Sequence, residues 1–141
     1  MIPLKKKLSC ILLIDDDQAT NYIHTRVIKK AAITDKIVEL ESGYDAIKYL
    51  NQTDFEAYPR PDIIFLDINM PGMDGWEFLE GYEKLNPEQR GKIILVMLTT
   101  SLNPDDKNRS ATISTIDGFK NKPLTHETLQ DIIDEYFADH K

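Results

Sequence analysis

Polar side chains that could do chemistry stand directly after short runs of apolar residues at four places in the sequence. They are, in chain order, Asp15, Asp16 and Asp17; Asp67; Thr99 and Thr100; and Lys122. Carboxylates that are brought close together repel one another, and either protonation or a bound cation relieves that repulsion. Mg²⁺ suits such a set, because it takes a few carboxylate or carbonyl oxygens and keeps several waters that a phosphoryl oxygen can replace.

The same residue types could handle a phosphoryl group. A lysine balances phosphoryl charge and a threonine hydroxyl donates to a phosphoryl oxygen, while an aspartate can accept the group covalently. Each residue taken alone has a simpler structural explanation, since an Asp after a strand usually caps a helix and a Thr or Lys-Pro usually belongs to a turn. Their coincidence after four successive strands favours phosphoryl chemistry.

The elements that must position these residues alternate along the chain. Apolar runs predict five strands, at 10–14, 37–40, 63–66, 93–98 and 116–119. The segments between and after them predict five helices, at 18–31, 43–51, 75–85, 104–114 and 126–137. The first, third and fourth runs are apolar almost throughout, as strands covered on both faces of a parallel sheet require. The order predicts a doubly wound α/β sandwich whose ligand site lies at the carboxyl ends of its strands.

Composition narrows the class of protein. The 141 residues suffice for one domain, and 24 acidic against 17 basic side chains give a net charge of −7, which argues against nucleic-acid partners. The first apolar run is too short for a signal peptide or a membrane span, so we expect a cytoplasmic protein with no membrane contact.

The connection 52–61 reads as a surface loop. His24, His126 and His140 lack the spacing of metal ligands and are expected on the surface.

Four motifs carry a resemblance to a known family. They are LLIDDD at 12–17, PDIIFLDINMPGMDGWEFL at 61–79, VMLTTS at 96–101 and KPL at 122–124. Together they resemble the receiver domain of two-component response regulators along nearly the whole chain. The resemblance implies a single receiver domain over 1–141, with a core at about 8–138 and no output domain. It also implies a three-layer flavodoxin-like fold with a five-stranded parallel sheet of order 2-1-3-4-5 and five helices.

The resemblance also implies a role for each polar position. Asp67 would be the phosphoacceptor. The ligands of Mg²⁺ would be Asp15, Asp16, Asp67 and the backbone carbonyl of Asn69, with Asp17 peripheral. The phosphate-binding and switch positions would be Thr99, Thr100, Phe119 and Lys122. The peptide before Pro123 is expected in cis.

Two positions depart from the family's usual pattern. Thr100 stands where the family often has Ala or Gly, so its bulk is expected to hinder access of water or donor and to alter phosphate lifetime. Phe119 stands where many relatives have Tyr. Because Phe119 has no hydroxyl, we predict that it prefers an inward position even before phosphorylation, which would make the switch less sharp.

The implied partner is a sensor histidine kinase or a histidine phosphotransfer protein, which would present phosphohistidine to Asp67. Phosphorylation would change the surface of the predicted fourth helix, fifth strand and fifth helix, to which an unknown downstream protein would bind; a homodimer is left open. Two alternatives remain. A haloacid-dehalogenase-type phosphatase has an Asp-x-Asp motif followed by Gly or small residues and Thr, and usually a cap that selects the substrate. Residues 15–20 read DDDQAT, which does not match that motif, and the chain has no room for a cap. A degenerate receiver that only binds partners would lack motif residues that are present here.

Overall fold

A computed structural model describes residues 2–90 and 93–141. Within those residues the chain forms five strands and six α-helices. The strands are β1 Ile11–Ile14, β2 Ile37–Leu40, β3 Ile63–Asp67, β4 Ile94–Thr99 and β5 Gly118–Asn121. The helices are α1 Gln18–Ala31, α2 Gly43–Leu50, α3 Gly75–Glu83, α4 Pro87–Arg90, α5 Pro104–Ala111 and α6 His126–Tyr136, and a 3₁₀ turn follows at Ala138–His140.

The strands form one parallel sheet in the order β2-β1-β3-β4-β5, which confirms the predicted order 2-1-3-4-5. Alternate residues of β1 face opposite core layers: Ile11 and Leu13 pack with α1 and α6, and Leu12 and Ile14 pack with α2 and α3. Both faces are therefore covered, and this explains why the central strands are apolar without alternation. No helix within 2–90 or 93–141 combines the length and the apolar character that crossing a bilayer requires.

Most boundaries agree with the predictions to within two residues, and the larger differences are one additional helix and shifts at two elements near the end of the chain. The expectation of five helices missed the short α4, which begins at Pro87 in the connection after α3. Proline suits the first helical position, and Gln89 closes this turn by accepting from the Asn86 N–H. The helix predicted over 104–114 ends at Ala111. The last strand begins at Gly118 rather than at residue 116, because Ile116 closes a turn by donating its N–H to the Ile113 carbonyl.

Candidate functional site

Three carboxylates meet at the carboxyl end of the sheet. One oxygen from each of Asp15, Asp16 and Asp67 lies within 4.8 Å of the others. Asp15 directly follows β1 and Asp67 ends β3, and these strands are paired with Ile14 opposite Leu66. Asp15 and Asp67 are 4% and 7% exposed, while Asp16 is exposed. Two of the three charges are thus held away from water, where a nearby cation has its greatest effect.

Lys122 reaches this cluster from the end of β5. Its Nζ lies 2.5 Å from Asp15 Oδ2 and 3.1 Å from Asp67 Oδ1. Three carboxylates and one ammonium leave a formal charge of −2 at this crevice when all four are ionised. Oxygen ligands and a charge of −2 are what a hard divalent cation needs from a protein site.

Burial and charge shift the pKa values of the two groups that face each other. Burial raises the pKa of Asp67, and the charge of Asp15 adds to this effect, while Lys122 opposes it. Burial alone would lower the pKa of Lys122. The hydrogen bond to Asp15 and the charges of Asp67 and Asp15 outweigh that effect, so the pKa of Lys122 is raised. The ammonium is therefore firmly held, whereas the carboxylate of Asp67 is crowded and would gain from a further cation.

Asp17 has a structural task beside the cluster. Its side chain accepts from the Ala19 N–H and the Thr20 hydroxyl, each at 3.0 Å, and so caps α1. The Asp17 N–H in turn donates to Asp15 Oδ1 at 3.0 Å, which orients that carboxylate. The exposed Asn69 lies two residues after Asp67.

A glycine lets α3 begin against the end of β3. The Gly75 N–H donates to the Ile68 carbonyl at 2.7 Å. A Cβ at Gly75 would lie 2.6 Å from the Asp67 carbonyl oxygen and 2.9 Å from the Cα of Ile68, and both contacts are with backbone. The backbone around Asp67 therefore depends on the absence of a side chain at this position.

The two threonines after β4 have different surroundings. Thr99 is fully buried and its Oγ1 accepts from the Ser101 N–H at 2.9 Å, while its carbonyl accepts from the Lys122 N–H. Thr100 is exposed and lines an open groove of about 240 Å³ together with Lys122 and Pro123. The peptide bond between the latter two is cis.

Phe119 lies on β5, one residue into the strand. It is half-buried and packs against the core layer beneath α2 and α3. Its preference for an inward position before phosphorylation stays a prediction.

Three buried polar residues on α1, namely Asn21, His24 and Thr25, were not recognised from the sequence, and the expectation that His24 lies on the surface is wrong. Asn21 is 1% and His24 is 2% exposed. Both belong to the inner face of α1, in line with Ile28 and Ala31. The spacing 21, 24, 28 and 31 could have revealed this face, but polar residues at its first two positions weaken the hydrophobic pattern. His126 is exposed, and His140 is partly covered by Phe137.

Known proteins share this sequence pattern and this fold. The family model of the response regulator receiver domain matches residues 11–134. Response regulator Rcp1 of Synechocystis sp. is 39% identical over 97 residues, which cover 68% of this chain and 65% of that protein. The chain thus spans slightly less than two thirds of that relative. The crystal structure of Rcp1 in its Mn²⁺-bound form shares 31% identity, covers 92% of this chain and 94% of its own, and superposes with a TM-score of 0.70.

Two further matches indicate the contexts in which such domains occur. The crystal structure of a two-component response regulator from Cytophaga hutchinsonii is 33% identical, covers 94% of this chain and 99% of its own, and has a TM-score of 0.83. Sensor histidine kinase CheAY of Helicobacter pylori is 28% identical over 87% of this chain, which is 14% of that protein. From the family match over residues 11–134, together with these relatives, it follows that the chain belongs to the response regulator receiver domain family.

Proposed function

We propose that Asp67 accepts a phosphoryl group from the phosphohistidine of a sensor histidine kinase or a histidine phosphotransfer protein. One observation carries the proposal: three carboxylates gather within 4.8 Å, and Lys122 Nζ contacts two of them, at 2.5 and 3.1 Å. Such a site combines a nucleophile, a cation-binding set and a fixed positive charge. The proposal makes the chain a signalling protein that is switched by its own covalent modification.

Mg²⁺ is the proposed cofactor. The ligands would be Asp15, Asp16, Asp67 and the backbone carbonyl of Asn69, and the formal charge of −2 suits a divalent ion. Mn²⁺ and Mg²⁺ share a preference for carboxylate, carbonyl and water ligands, so the Mn²⁺-bound Rcp1 structure supports this assignment. When bound, the cation would neutralise charge on the incoming phosphoryl oxygens.

The side chains of this chain would divide the transfer step among them. A carboxylate oxygen of Asp67 forms the new bond to phosphorus as the bond to the donor imidazole nitrogen breaks, and the released imidazole takes up a proton from solvent. Lys122 would balance charge on one phosphoryl oxygen. The Thr99 hydroxyl accepts from Ser101 and can donate its own hydrogen to another phosphoryl oxygen. Thr100, which is exposed in the groove beside Lys122, would limit the access of water and of the phosphoryl donor to the site.

The signal would leave the site through the loop after β4. The Ser101 hydroxyl donates to Asp106 Oδ2 at 2.6 Å, so a shift of Thr99 and Ser101 acts on the first turn of α5. The hydroxyls of Ser110 and Thr112 bond back to the Lys107 and Arg109 carbonyls, a pattern that weakens a helix. The face made by α5, β5 and α6 would therefore change on phosphorylation and contact an unknown downstream protein or a second copy of the chain. We also propose that the chain acts in the cytoplasm.

Incubation with phosphoramidate tests the proposal without a partner kinase. Wild-type protein with Mg²⁺ is expected to gain one phosphoryl group by intact mass and to change the fluorescence of Trp76, which lies next to Gly75 at the start of α3. EDTA and Asp67→Asn should each abolish the gain. Steady release of phosphate from unrelated phosphate esters would point to a phosphatase instead, and no adduct in any condition would contradict the proposal.

A further inference from the structure

Helix α1 connects the two halves of the site. The sheet order separates β1 from β5 by two strands, yet Asp15 after β1 and Lys122 after β5 are in contact. On α1, the Asn21 side chain donates to the Asp15 carbonyl at 2.9 Å. One turn later, His24 Nε2 accepts from the Leu124 N–H at 3.2 Å. The same helix face thus holds the segment that carries Asp15 and the segment that carries Lys122.

His24 is suited to a fixed, neutral role. Burial lowers the pKa of His24, and the charge of Lys122 lowers it further against the opposing charge of Asp15. A neutral ring that accepts at Nε2 carries its hydrogen on Nδ1. The cavity between the ring, the carboxylates of Asp15 and Asp67 and the surrounding core measures only about 10 Å³. Little free volume therefore remains on this side of the imidazole, whose Nε2 accepts from the Leu124 N–H.

We propose that His24 is a positioning residue, which holds the segment from Lys122 to Leu124 so that the ammonium reaches both carboxylates. This inference rests on the proposed function of Lys122 in phosphoryl transfer. Before the exposed Pro123, the backbone of this segment is held by the hydrogen bond from the Lys122 N–H to the Thr99 carbonyl. After Pro123, it is held by the hydrogen bond from the Leu124 N–H to His24. Leu124 is 1% exposed, so its N–H would lose a buried partner if the ring were removed.

The test compares substitutions that keep or remove the acceptor. His24→Gln can place an amide oxygen near the position of Nε2, whereas His24→Leu has a similar volume and no acceptor. His24→Asn is polar but too short, and it replaces the Leu variant if that variant does not fold. Thr25→Val is the matched control, because Thr25 is also buried on α1 but donates to Glu39, away from the site.

Two quantities are measured for each variant: the rate constant for Mg²⁺-dependent phosphorylation by phosphoramidate, and the Mg²⁺ affinity from Trp76 fluorescence. We expect His24→Leu or His24→Asn to slow phosphorylation about tenfold. A displacement of a catalytic group by about 1 Å can reduce a rate by still more. His24→Gln should stay within about threefold of wild type and Thr25→Val should match it, while no variant should lose more than about twofold in Mg²⁺ affinity.

Three results would overturn the inference. His24→Leu or His24→Asn could react as fast as wild type, or His24→Gln could be slowed as much as they are, which would reduce His24 to a packing role. A parallel loss of Mg²⁺ affinity would likewise contradict it, because the effect would then run through Asp15. Failure of the proposed function itself is distinct: wild-type protein would then form no adduct at all.

Discussion

Removing the charge of Asp67 should stabilise the folded protein when no divalent cation is present. Asp67→Asn keeps the shape of the side chain and takes away one of three carboxylates that lie within 4.8 Å of one another. At an effective dielectric constant of about 20, repulsion from one carboxylate at that distance is about 3.5 kcal/mol, and attraction to Lys122 at 3.1 Å is about 5 kcal/mol. Asp16 adds a further repulsion that solvent screens.

These opposing terms nearly cancel, so the cost of burying the Asp67 carboxylate decides the sign. That cost is several kcal/mol for a fully buried ion. The raised pKa of Asp67 has the same meaning: the charged form is less favourable in the fold than in the unfolded chain. Lys122 keeps its contact with Asp15 in the variant, so no ammonium is left unpaired. We expect a net gain of about 1–2 kcal/mol in the free energy of unfolding, or about 5 °C in Tm.

The assay is urea and thermal unfolding of both proteins, first in EDTA and then in Mg²⁺. Only wild type should be strongly stabilised by the cation, by about 2.7 kcal/mol in the free energy of unfolding when Mg²⁺ is at a hundredfold excess over Kd. The difference in stability between the two proteins should therefore become smaller or change sign. Asp74→Asn removes the same charge outside the cluster and keeps the cap of α3, and it should stay within about 0.5 kcal/mol of wild type. A less stable Asp67→Asn in EDTA would refute the reasoning.

Three further substitutions test other parts of the account. Because the pKa of His24 is lowered in the fold, the unfolded state binds more protons below about pH 6.5. The free energy of unfolding should therefore fall as the pH drops from about 6.5 to 5, and His24→Gln should flatten this dependence in urea titrations; parallel curves would contradict it. Arg60→Lys should cost about 2 kcal/mol, because one ammonium cannot replace a planar guanidinium fork. Its Nη1 donates to the Leu50 and Gln89 carbonyls at 2.8 Å each, while its Nη2 donates to the Tyr49 carbonyl at 3.3 Å. Arg26→Lys, at an exposed position, is the control. An equal loss of stability in both variants would contradict a stabilising role for the Arg60 hydrogen bonds. Gly75→Ala should destabilise by about 2 kcal/mol or more and slow phosphorylation, since its Cβ meets backbone. Gly81→Ala in the same helix meets only the Ile47 side chain, at 3.3 Å, and should be neutral or stabilising; equal losses in the two variants would refute the steric argument.

The sequence predicted the sheet well because its central strands are buried on both faces. A run such as 63–66 is apolar at every position, and the polar residue that ends it must then lie at the carboxyl edge. The same argument predicts that Asp15, Asp67 and Lys122 lie at one crevice. It needs only the parallel order of the strands.

What the sequence did not predict depends on contacts between distant segments. The apolar pattern of α1 is interrupted by Asn21 and His24, whose burial depends on the Asp15 carbonyl and the Leu124 N–H that the fold brings to them. The connection 52–61 reads as a plain polar loop. In the fold its Arg60 joins the end of α2 to α4, because two carbonyls 39 residues apart in sequence converge on one guanidinium. The pattern of apolar and polar residues in one segment cannot predict contacts of this kind, which form only when distant segments meet in the fold.

Locating the phosphoryl group tests the central claim most directly. Wild-type protein would be treated with phosphoramidate and Mg²⁺ and then with borohydride, which reduces an aspartyl phosphate to homoserine, and its peptides would be sequenced by mass spectrometry. We predict homoserine at position 67 with Mg²⁺ and none with EDTA. Homoserine at position 15 or 16, or an intact Asp67 in protein that has gained the phosphoryl mass, would contradict the account.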